Sequence, residues 1–149
     1  MKIGFTPGVL RHFAFLETDY SFRCVYSSSQ DVRWEDSVVF VDLRFDSQRS
    51  YELYLSVGRL AVLVDGQHVP FGLDEISRFG GGAWGSWAVH ARDEGELDER
   101  LHEVASILKD VGQRFLLTDA QAFAELAVQR QRECTEYALN KPLLRARIG

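Results

Sequence analysis

Hydrophobic positions change their period along the chain, and the changes mark out its elements. In "GVLRHFAFLET" (8–18), Val9, Phe13 and Leu16 recur at helical spacing. Pro7 stands at the entry, where a missing N–H costs little, and Thr6 is placed to cap. A short helix is predicted. "SFRCVY" (21–26) then alternates, Phe22, Cys24 and Tyr26 against Ser21, Arg23 and Val25, which is the pattern of a strand. Within it Cys24 is expected to behave as a small buried hydrophobe. The polar run Ser27 to Asp31 reads as a loop.

"SVVFVDLRF" and "YELYLSVG" are rich in β-branched and aromatic residues and flank a turn-rich gap, Asp46 to Ser50. With Phe45 opposite Tyr51, the pairs Leu43–Leu53, Val41–Leu55 and Val39–Val57 form a uniformly apolar face. The second face then pairs Arg44 with Glu52, Asp42 with Tyr54 and Phe40 with Ser56. A slip of one residue would bring Glu52 opposite Leu43 on the core side, so the pattern selects this pairing of faces.

"RLAVLVDGQHVPF" reads as a strand, an Asp65-Gly66 turn and a short return strand over His68–Phe71, which Pro70 makes an edge or an ending. "GLDEISRF" follows as a short helix, with Gly72 as N-cap and Glu75 three residues on. Over 93–115, Leu97, Leu101, Val104, Leu108 and Val111 share one helical face, which Phe115 ends. The acidic start of that helix suits the positive end of its dipole. Asp119 is a candidate N-cap for a last helix with Phe123, Leu126 and Ala127 facing inward, which Pro142 is expected to stop. The sum is a single α+β domain over 1–149: a short N-terminal helix, an antiparallel sheet of three to five strands, then C-terminal helices on one face.

Composition narrows the functional classes. Ten Phe, five Tyr and three Trp supply core bulk without staples. Two distant cysteines give neither a disulfide framework nor a zinc site, so a cytoplasmic setting is expected. A net charge of −5 with scattered arginines disfavours nucleic acid. No apolar run is long enough to span a membrane, and no leader pattern opens the chain.

The run "GGGAWG" (80–85) satisfies G-x-G-x-x-G. A dinucleotide turn would need a strand before it and a helix after it, whereas "DEISRF" is helical and "SWAVHA" alternates. The glycines are read as a joint, with Gly80 closing a helix in the left-handed region. His12, His68, His90 and His102 form no ligand pair at metal-binding spacing. No nucleophile elbow is present, neither cysteine has a histidine beside it, and no catalytic, cofactor-binding or metal-ligating residues are assigned. Asp42 and Glu52 are the carboxylates best placed for acid–base work, yet pairing across the strands gives them an ordinary role.

The second face of the hairpin draws attention because Phe40, Tyr54, Val38 and Trp34 put bulk beside Asp42, Arg44 and Glu52. Three readings stay open: a core face covered by the C-terminal helices, an exposed aromatic patch ringed by charge, or one wall of a ligand cleft.

"FAFLETDYSFRCVY", "VVFVDLRF", "RSYELYLSVGRL" and "PFGLDEISRF" together resemble small uncharacterised bacterial α+β proteins. Some of those are similar to the immunity proteins found beside bacterial toxins. The resemblance implies a protein-binding role and transfers no site residue.

The expectation is a protein-binding, immunity-type or accessory factor whose partner is another protein, basic in character. Its contact residues would be Phe40, Asp42, Glu52 and Tyr54, with Trp84 and Trp87 second. Alanine at Phe40 or Tyr54 should then weaken binding and leave folding intact. Alternatives are a small-ligand binder or minor hydrolase, with His90 or His102 converging on Asp42 or Glu52, and a homodimeric structural module.

Overall fold

The computed structural model describes residues 5–80 and 89–148, with the backbone alone over 140–148. Two short helices, α1 (Phe5–His12) and α2 (Phe15–Thr18), lead into strands β1 (Arg23–Ser27), β2 (Asp31–Glu35), β3 (Val39–Phe45) and β4 (Glu52–Arg59). A small hairpin of β5 (Leu63–Val64) and β6 (Gln67–His68) precedes β7 (Phe71–Gly72) and α3 (Leu73–Phe79). Strand β8 (Val89–His90) is followed by helices α4 (Glu94–Val111), α5 (Gln113–Leu116) and α6 (Ala120–Ile148). The antiparallel sheet has the order β1-β2-β3-β4-β7, with β8 also on β4. The expected α+β arrangement is present.

The apolar face of the hairpin is the one that meets the helices. Val32, Trp34, Val41, Leu43, Phe45, Leu53, Leu55 and Val57 join Phe5, Val9, Leu97, Leu101, Leu108, Phe115, Phe123 and Leu126 in one hydrophobic cluster. Phe13 stacks on Trp34 at 5.5 Å, tying the N-terminal helices to the sheet. Phe40 lies outside that cluster, because its side chain points to the other face. Among the described residues, the helices therefore pack on one face of the sheet and not on the second.

Several elements depart from expectation, each for a local reason. Strand β2 begins at Asp31, read as the end of a loop, and runs over residues 32–35, for which no element was predicted: Val32 and Trp34 point inward, Asp31, Arg33 and Glu35 outward. Trp34 thus belongs to the core rather than the second face. The β3–β4 pairing is displaced by two residues, Phe45 opposite Leu53 and Val41 opposite Val57. The faces are kept because a shift of two preserves side-chain direction. The wider turn is built by the Asp46 carboxylate, which accepts from the N–H groups of Gln48 and Arg49 at 3.2 and 3.0 Å. Tyr51 takes a positive φ of 57° to complete it. Glu52 consequently faces His90 on β8, and Arg44 faces Tyr54.

Cys24 is exposed, as is all of β1, since this strand is the sheet's edge. The N-terminal helix breaks at Phe13–Ala14, and the long C-terminal one at Gly112. Ala127 is exposed, and Ala122 takes the inward position instead. Gly80 caps α3 through its N–H on the Ile76 carbonyl, 3.0 Å, with φ of −79°, so the left-handed region is not used. Helix α6 continues through Pro142: proline forfeits one i→i−4 bond, and the turns on either side retain theirs. The Asp65-Gly66 turn does adopt positive φ at both residues, 54° and 77°, as its hairpin requires.

Helices α3 and α6 are clamped by one arginine. Arg130 Nε donates to Glu75 Oε2 at 2.7 Å, a second nitrogen donates to the Pro70 carbonyl at 2.9 Å, and the guanidinium lies 4.2 Å from the Phe71 ring centre. Burial pushes the Glu75 carboxyl up, but the bonds from Arg130 and the Gly72 N–H outweigh it and hold it below its ordinary value. Arg130→Ala should cost about 2–3 kcal/mol, because it strands a half-buried carboxylate as well as removing a contact. Urea unfolding of the variant reads this directly; a loss below about 0.5 kcal/mol would mean that the clamp is ornamental.

Candidate functional site

The open face is built by alternation. Asp31, Arg33 and Glu35 of β2, Phe40, Asp42 and Arg44 of β3, and Tyr54, Ser56 and Gly58 of β4 are cross-strand neighbours. On an exposed surface such residues would be solvated, and here four of them, Phe40, Asp42, Ser56 and Gly58, are buried. Phe40 is 2% exposed and Asp42 and Ser56 are each 5% exposed.

Phe40 is sandwiched by its neighbours. The Arg33 guanidinium lies 4.1 Å from its ring centre and the His68 ring 5.1 Å away. Gly58 stands directly across, where an added Cβ would come within 2.5 Å of Phe40 Cζ. Glycine is required there by the ring. The β5–β6 hairpin folds back to supply His68, whose Nε2 is 3.1 Å from the Leu60 carbonyl.

Asp42 lies in the middle of the face, between Arg33 on β2 and Ser56 on β4. Arg33 Nη1 is 3.8 Å from its Oδ2, and Arg44 Nε is 3.6 Å from its Oδ1, both beyond hydrogen-bond distance. Arg33 spends its shorter contact on Glu35, at 2.9 Å. Burial, then hydrogen bonding with Asp31, then the Asp31 charge push the Asp42 carboxyl up to about 7 against the pull of the two arginines. The shifted carboxyl that acid–base chemistry would require is therefore present at Asp42.

Tyr54 is half-exposed, at 51%, and its hydroxyl is raised by burial first and then by Asp74 and Glu75. Glu52 is exposed and stands 3.7 Å from His90 Nε2, not beside Arg44. Of the residues anticipated as contacts, Tyr54 and Glu52 present side chains to solvent. Phe40 and Asp42 lie beneath, so they can shape the surface and cannot form its outer contacts. Trp84 and Trp87, with the glycine run 81–85, lie outside the described residues.

A groove of about 560 Å³ opens at Asp31 and Arg44, lined also by Gln30, Asp46, Gln48 and Arg49. The Asp46 carboxyl is held low, chiefly by the Arg49 N–H, and is used up in the turn. Elsewhere, His12 Nε2 meets Asp98 Oδ1 at 2.8 Å and its ring lies 5.6 Å from that of His102, away from Asp42 and Glu52. Among the described residues, no three His, Cys, Asp or Glu side chains are arranged to hold a metal ion. Within the same residues, no helix is long and apolar enough to cross a membrane.

Asp31 and Arg33 were not placed on this face from the sequence, although strict alternation over Asp31–Glu35 was available as the signal for both. Neither a protein-family model, nor a curated protein, nor a solved structure matches the chain, and the meaning of this face rests on its own chemistry.

Proposed function

We propose that the chain is a cytoplasmic protein-binding module of the immunity or accessory type, whose contact surface is the open face of its sheet. The observation that carries the reading is one-sided packing: the helices pack on one face, and the other presents Tyr54, Arg44 and Glu52 around a buried polar centre. Tyrosine and arginine over a rigid scaffold are the side chains that dominate protein contacts. The excess of acid, net −5, favours a basic partner through long-range steering.

The test is capture from host lysate by the tagged chain, beside Tyr54→Ala. The variant should change stability by less than about 1 kcal/mol, since the side chain is half in water. It should nevertheless weaken retention of one identified basic protein by ten-fold or more. Equal retention by the two chains would remove Tyr54 from the interface and the open face with it.

A small-ligand or hydrolytic reading draws on the groove at Asp31 and Arg44 and on the His90–Glu52 contact. Those two features lie at different positions on β3 and β4, and His90 does not reach Asp42. A homodimer through the β1 edge is disfavoured by the bulge between Cys24 and Tyr26, the device that blunts edge strands.

A further inference from the structure

We propose that Asp31 and Asp42 hold one proton between them and act as a charge switch on the open face of the sheet. Two oxygens carry the inference. Asp31 Oδ1 and Asp42 Oδ1 are both shielded from solvent, and neither has a hydrogen-bond donor among the described residues. The two residues are diagonal neighbours on β2 and β3, and one atom, Arg44 Nε, lies 3.9 Å from the carboxyl of Asp31 and 3.6 Å from that of Asp42. As two carboxylates they would repel. As one acid and one carboxylate they attract, the O–H of one donating to the other, and a single hydrogen satisfies both oxygens.

The surrounding charges fit that assignment. From β2 come Arg33 and Glu35 with Asp31 itself, from β3 Arg44, and from β4 Tyr54 and, farther along, Glu52 facing His90 of β8. From β6 comes His68, over Phe40. Arg33 is engaged by Glu35, and Arg44 Nε stands 3.6 Å from Asp42 and 3.9 Å from Asp31. Both arginines soften the repulsion without donating to either orphaned oxygen. A divalent cation suits the place less well: two guanidinium groups crowd it, and no third ligand joins the pair among the described residues.

Holding the proton, the pair sets one negative charge against Arg33 and Arg44. Losing it, the pair sets two. In the first state the Arg44 guanidinium, on a side chain 70% exposed, is freer to meet an acidic group of a partner; in the second it is drawn onto the pair. The proton sharing stands on the geometry of the carboxyls, and its effect on docking rests on the binding-module reading.

The experiment is a carboxyl carbon NMR titration of the full chain between pH 4 and 9, assigned through bonds in the wild type. Asp31→Asn and Asp42→Asn are run alongside. The wild-type Asp42 resonance should move in a step centred near 7, and Asp31→Asn should bring that step to lower pH. Asp42→Asn should abolish that step. Complete titration of Asp42 below pH 5, or a step left unmoved in Asp31→Asn, would overturn the proposal. A clear step near 7 with no partner dependence on Tyr54 would instead sink the docking face and leave the pair intact.

Discussion

Replacing Asp42 with asparagine should flatten the dependence of stability on pH and leave the variant the more stable protein at pH 8. The folded chain holds the Asp42 proton up to about 7, whereas an unfolded aspartate releases it near 3.8. Between those values the folded state binds more protons, so raising the pH costs stability. The contribution is fully present below the lower value and gone above the upper one. At about 1.4 kcal/mol per pH unit, the span amounts to about 2–4 kcal/mol once relaxation of the site is allowed for. Asparagine is neutral at every pH, and its amide can donate to Asp31 as the shared proton does.

The window is clean on the acid side. The carboxyls of Asp46, Glu75, Asp98 and Asp119 are all held below their ordinary values. Their stability is present above the unfolded values, 3.8 for aspartate and 4.5 for glutamate, and is lost on acidification below them. The difference between wild type and Asp42→Asn, measured by urea unfolding at half-unit steps from pH 5 to 8, isolates the buried carboxyl. The two curves should diverge steadily with pH; curves that run parallel would mean that Asp42 is ionised throughout.

Phe40→Ala should destabilise the fold by about 3 kcal/mol, in contrast to the small effect of Tyr54→Ala. The ring is buried although it lies on the open face, because Arg33 and His68 cover it and Gly58 leaves room for it. Truncation would leave a void that the flat backbone of β4 cannot fill, and would uncover Asp42 beside it. Alanine at position 40 was expected from the sequence to spare folding, and the burial of the ring reverses that expectation. Denaturant midpoints for the two variants decide the matter. A Phe40→Ala loss below about 1 kcal/mol would mean that the ring moves freely and is available to a partner.

The contrast between Phe40 and Tyr54 also marks what the chain discloses on its own. Periodicity separated the two faces of β3 and β4 correctly, since side-chain direction depends only on parity. It did not fix the pairing, because a shift of two residues is invisible to parity, and the choice was made by the Asp46 carboxylate and the backbone of Tyr51. Strand β2 was legible in Val32 and Trp34 but was masked by the polar run ahead of it. Once β2 is absent, Asp42 has neighbours on β4 alone, and neither its burial nor its nearness to Asp31 can be anticipated. The capping of α3 and α6 was readable because Glu75 and Asp119 act within three residues of their targets. Burial that depends on a third strand was not.

An alternative docking surface lies on α6, where Val128 and Tyr137 are both exposed beyond the buried Leu126. The measurement that separates it from the sheet face is photo-crosslinking. A photoreactive phenylalanine is placed at position 54 in one preparation and at 128 in another, each is irradiated in host lysate, and the adducts are identified by mass spectrometry. One basic protein should be captured from position 54 and not from 128. Capture from 128 alone, or from neither position, would contradict the assignment of the open sheet face as the place where this protein meets its partner.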